Sequence, residues 1–228
     1  LSGGRTAKAI ECGPGWEPEP IDPEIYDEVE TDWDEFGNFV DDPLIFEDDD
    51  MPITFDANQQ DWPTISPVIP EIKFIKYKKG VNCLVLARAQ LAEVGVRELG
   101  YGSAYKTYKE PNIIYKAAAK DGVDYIISKL QAGKPVMVAV DNRPGTPSTQ
   151  NADGSTDHFI VVVGSGKDAN GNFFRFYDSA TENVYIGTSP KNKLYYNPTT
   201  GKIQGKSMAN GAPPTYHDYI VTQIRKNK

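Results

Sequence analysis

The spacing of apolar positions changes character along the chain. Up to Trp62, aromatic and aliphatic residues are spaced singly or in short groups among acids and prolines, in neither a helical nor a strand period. From Pro63 to Pro70 the prolines of PTISPVIP predict an extended connector. EIKFIKYKKG then alternates, with Ile72 and Phe74 on one side, which predicts a short strand. Leu84 to Val94 is apolar on most faces, broken by Arg88, Gln90 and Glu93, and Gly95 supplies a stop. A helix of that kind belongs in the middle of a domain. In NIIYKAAAKDGVDYIISKLQAGK, Val123, Ile126, Ile127 and Leu130 keep helical spacing, with Gly133 as the stop and Gly122 expected to divide two shorter helices. Thereafter the pattern is β-rich. PVMVAVD, HFIVVVGSG, FFRFYD, NVYIGT, KLYYN, KIQG and YHDYIVTQIRK read as strands, with ANGN and NPTTG as hairpin turns. Helices first and an antiparallel sheet second predict an α+β domain with helices packed on one side of the sheet.

Charge changes this picture at the front of the chain. The net charge of -8 over 228 residues is uneven: Glu17 to Trp62 holds 18 Asp and Glu and no Lys or Arg, so the remainder carries 14 acids against 24 bases. We therefore divide the chain into an acidic arm over residues 1–62 and a domain over residues 63–228. A solvated linker is the plain reading of such an arm. Its spaced aromatics, among them Trp16, Trp33, Phe46 and Phe55, suit instead a strip that docks on its own domain, on a neighbouring subunit or on a larger assembly. No run approaches a membrane span, and the first residues lack both a starting Met and an apolar signal core, as expected of a processed chain or a piece of a longer one.

Few residues carry chemistry. The two cysteines, Cys12 and Cys83, lie in segments of different character, too few for a disulfide scaffold. Cys83 follows a glycine-asparagine turn at the start of the apolar helix, where unpaired amides favour thiolate over thiol. The plain alternative is a small core residue. Of the two histidines, His158 opens a strongly β-forming strand after a long polar loop, whereas His217 lies within the last strand and reads as a surface or half-buried residue, with a catalytic base as the alternative. Asp178 ends FFRFYD, and a hairpin from the His158 strand would bring it back beside the imidazole, since antiparallel neighbours pair first residue with last. A nucleophile, a base and an orienter then come from three elements.

VNCLVLARAQLAEVG, LQAGKPVMVAV, DHFIVVVGSG and NFFRFYDSAT, in that order, resemble the papain-like thiol hydrolases, in particular the branch with bacteriocin-leader-processing peptidases and cell-wall amidases. The likeness runs over roughly residues 77–186, about half the chain. It implies a papain-like fold in which a central N-terminal helix carrying the Cys packs on an antiparallel sheet. It also implies amide hydrolysis by Cys83, His158 and Asp178 without a cofactor or metal. Papain-like enzymes often place a Gln a few residues before the Cys as oxyanion donor, and KYKKGVN has none. Asn82 or the Cys83 amide is the candidate instead. The implied substrates are cell-wall stem peptides, with a protein substrate next, and the implied setting is secreted, envelope-bound or delivered into bacterial wall. No nucleic-acid partner is expected. The competing class is a papain-like binding or assembly module held through its arm.

Overall fold

The computed structural model describes residues 62–145, 148, 151, 153–209 and 217–228. The arm up to residue 61, Cys12 with it, lies outside the described residues. The strands and helices follow in chain order: α1 (Cys83–Ala92), β1 (Tyr105–Lys106), β2 (Tyr108–Lys109), β3 (Ile113–Ile114), α2 (Lys116–Gln131), β4 (Val136–Asp141), β5 (His158–Asp168), β6 (Gly171–Tyr177), α3 (Val184–Gly187), β7 (Lys193–Tyr196), β8 (Ile203–Ser207) and β9 (His217–Ile224). The main sheet is antiparallel in the order β1-β9-β4-β5-β6-β7-β8, and the further pairing of β9 with β8 closes strands β4 to β9 into a barrel. The domain is thus mixed helix and strand.

Strand alternation sorts the core. Residues from all the barrel strands, including Val138, Ile160, Phe176, Leu194, Ile203 and Tyr219, meet in one buried cluster. To this α2 adds the predicted Val123, Ile126, Ile127 and Leu130. The alternate residues of β4, β5 and β6, among them Ala139, Phe159, Val161 and Tyr177, form a second cluster with Cys83, Ala87 and Leu91 of α1. Burying each such side chain contributes about 1.5–3 kcal/mol before the entropy of ordering is charged against it. Trp62 joins the first cluster, tilted on Phe174 at 5.0 Å and stacked on Tyr196 at 6.5 Å between ring centroids.

Three local expectations give way to other structure. Residues 71–73 form a short 3-10 turn rather than a strand. The side chain of Gln90, fully buried, takes the Ile75 N–H at 2.8 Å and donates to the Lys73 carbonyl at 3.0 Å, serving backbone groups that a neighbouring strand would otherwise serve. NVYIGT is the helical turn α3, because Asn183 accepts from the Tyr185 and Ile186 N–H groups and caps it. Gly122 lies inside a single helix; a Cβ there would run into Ile224 of β9, so the missing side chain is what lets α2 press on the sheet.

Candidate active site

α1 starts at Cys83, and Asn82 before it is extended, with its side-chain oxygen accepting the Leu84 N–H at 2.8 Å. This is the expected N-cap, and it commits the Asn82 oxygen to the helix, leaving its NH2 as the group able to donate elsewhere. Cys83 is 7% exposed and belongs to the cluster that contains Ala139 and Phe159. Those two are register partners, next to the Val140–His158 pair. The chain entering α1 also runs past the end of β6. The Tyr77 N–H donates to Thr181 O at 3.0 Å, and the rings of Phe74 and Tyr177 meet edge to face at 6.0 Å. The segment leading to Cys83 is therefore fastened on either side of Asp178.

His158 and Asp178 are in direct contact. His158 opens β5, Asp178 follows the last residue of β6, and Nε2 of the ring lies 2.8 Å from Oδ1 of the carboxylate. His158 is 2% exposed and Asp178 fully buried. The register slips between Val162 and Gly164, so the two meet near the open end of the hairpin, as the antiparallel argument requires. A buried carboxylate is costly unless every lone pair is served. Oδ1 also accepts the Ala180 N–H at 3.0 Å, and Oδ2 accepts the Ser207 hydroxyl at 2.6 Å and the Tyr219 hydroxyl at 2.8 Å.

Burial alone would raise the pKa of Asp178. The His158 charge and hydrogen bond, with those from Ser207 and Ala180, outweigh it and hold the carboxyl below its ordinary value. Tyr219 responds in the opposite sense: burial and the neighbouring carboxylate push the phenol well above its ordinary value, so it stays a donor. Sequence reading did not find Ser207 and Tyr219. They come from β8 and β9, and only barrel closure brings them to Asp178.

His217 opens β9 opposite Ser207 in the β8–β9 register. A second polar group sits at the end of β4. Asp141 and Glu110 are both buried, and each has one carboxylate oxygen without a hydrogen-bond donor, while Glu110 Oε1 accepts from Gly145 N–H at 2.7 Å and from the Tyr108 hydroxyl at 3.1 Å. Burial first, then the neighbouring Glu110 carboxyl, lift Asp141 to about 8, against the Arg143 N–H, whose hydrogen bond lowers it. Arg143 beside it binds Asp157 at 2.7 Å, directly ahead of His158.

Among the described residues no group of three or more His, Cys, Asp or Glu could hold a metal ion, and no helix is long and apolar enough to cross a membrane. No protein-family model, curated protein or solved structure matches the chain.

Proposed function

We propose that this chain is a thiol-dependent amide hydrolase of papain-like arrangement, with Cys83 as nucleophile, His158 as base and Asp178 as orienter. The observation that carries the reading is the buried His158–Asp178 contact at 2.8 Å, made through Nε2. With Nε2 committed to the carboxylate, Nδ1 is the nitrogen that would take the thiol proton. Supporting it is the position of Cys83 at the amide end of a capped helix, whose lead-in segment is bonded beside Asp178.

In the reaction, the Cys83 proton passes to His158 and the sulfur attacks the amide carbonyl. The imidazolium gives that proton to the departing amine, and water then releases the acyl group as a carboxylic acid and restores the thiol. Asp178 stabilises the imidazolium without itself becoming protonated. The Cys83 backbone N–H and the Asn82 NH2 are the oxyanion donors available. Cell-wall stem peptides are the substrate class, favoured by a domain with 22 bases against 13 acids over residues 63–228, with protein substrates second. Such a substrate sets the protein outside the cell, at the envelope or in delivery to a target wall.

The burial of Cys83 and His158, at 7% and 2% exposure, favours a second reading in which the fold is a binding or assembly module without turnover. The test is incubation of the full chain with muropeptides and with a peptide library, followed by mass spectrometry. Hydrolysis lost in Cys83→Ala supports the enzyme. Fragments bound but never cleaved support the module, and cleavage that survives Cys83→Ala overturns the thiol mechanism.

A further inference from the structure

On the outer side of strands β7 to β9 lies a groove of about 820 Å³. Its walls carry Lys191, Lys193, Lys202 and Lys206, and among the described residues Asp218 is the single acid lining it. Lys193 is already spoken for, held by Asp168 at 2.7 Å and lying 4.0 Å over the Phe173 ring, and Lys206 approaches Asp218 at 3.5 Å. Among the described residues, Lys191 and Lys202 have no carboxylate partner. Strand alternation explains the exposure: Leu194, Tyr196 and Ile203 point into the barrel core, which turns Lys193, Tyr195 and Gln204 outward. The result is a cationic trough with the Tyr195 ring in its lining.

The chain supplies its complement. Residues 17–62 hold 18 acids and no base, with aromatics between them. The point where this arm joins the domain is fixed: Trp62 stacks on Tyr196, and its Nε1 donates to the Phe173 carbonyl at 3.3 Å. Tyr196 adjoins Tyr195 of the groove wall, and Phe173 is the register partner of Tyr195. Trp62 thus anchors the arm on the core-facing side of β7, and the trough lies on the other face of the same strand. Its densest acidic run, Glu47 to Asp50, is preceded by Phe46 and lies about 12 residues before Trp62. Twelve residues reach at most about 40 Å, which bounds the distance from the anchor at which the run can act.

We propose that the Phe46–Asp56 stretch of the arm docks in this groove within its own chain, its carboxylates pairing with Lys191, Lys202 and Lys206 and a phenylalanine resting on Tyr195. The inference is independent of Cys83 chemistry.

The test uses the full chain, as an equal mixture of unlabelled and nitrogen-15 copies, treated with a zero-length carbodiimide and analysed by mass spectrometry. Docking predicts within-chain links from Glu47–Asp50 to Lys191, Lys202 or Lys206. They should exceed links to the surface lysines Lys78 and Lys79 at least fivefold and fall as much in 1 M salt. In the chain bearing Asp48→Asn, Asp49→Asn and Asp50→Asn, which leaves the domain untouched, the groove links made by the remaining carboxylates Glu47 and Asp56, compared with the same two links in the parent, should fall to the level of the control lysines. Links spread evenly over groove and control lysines overturn the proposal, as do groove links unchanged in that variant. Links predominantly between the two isotopic copies overturn docking within the chain.

Discussion

At the scale of single residues, the structure concentrates its cost and its specificity in a few buried carboxyls. Asp178 is the clearest. Four hydrogen bonds converge on it, from His158, Ala180, Ser207 and Tyr219. Its folded pKa is depressed, so the stability it lends is present above the unfolded value of about 3.9 and is lost as pH falls through the lower folded value. Removing one donor, as in Ser207→Ala, should cost about 1–2 kcal/mol in urea unfolding at pH 7. Asp141 works with the opposite sign. Its folded pKa of about 8 lies far above the unfolded one, so the protonated carboxyl is an asset at low pH that disappears as pH rises through about 8. We expect Asp141→Asn, which is neutral at every pH, to match the parent within about 1 kcal/mol at pH 5 and to exceed it at pH 9. A parent whose unfolding midpoint does not fall between those pH values would contradict the raised Asp141 value.

At the scale of elements, close approach of backbones decides what can be substituted. β8 crosses β7 at Gly205, where an added Cβ would overlap the Lys193 carbonyl oxygen. Gly205→Ala should therefore destabilise the domain by roughly 2–4 kcal/mol, because backbone and not a movable side chain is in the way. Removing the cap with Asn82→Ala should cost about 1 kcal/mol of stability. Elements with strong periodicity were legible from the chain itself: α1 runs Cys83–Ala92 against an expected Leu84–Val94, and β4 to β9 fall on the β-rich runs. What misled was local chemistry acting through side chains. The Asn183 cap turned a Val-Tyr-Ile run into α3, and the Gln90 amide replaced a strand partner at Lys73 and Ile75. Neither effect has a period to read.

For the whole molecule, hairpin logic reached the His158–Asp178 pair because those residues lie on consecutive strands. It stopped short of Ser207 and Tyr219, which join the site only through closure of β9 on β8. The carboxyl pair of Glu110 and Asp141 was invisible for a similar reason, since 30 residues and the whole of α2 separate its members. Trp62 fixes where the acidic arm meets the barrel, and Trp62→Ala should cost about 3–5 kcal/mol. The central claim concerns the thiol. The most direct measurement is the rate of Cys83 alkylation by iodoacetamide from pH 4 to 9, read at that residue by mass spectrometry, in the parent and in His158→Ala. A thiolate held by the imidazolium predicts a rate plateau reached well below the ordinary thiol value of about 8.5 and lost in the variant. A slow rise centred near that value, identical in both proteins, would contradict it and leave Cys83 as a core residue of a binding module.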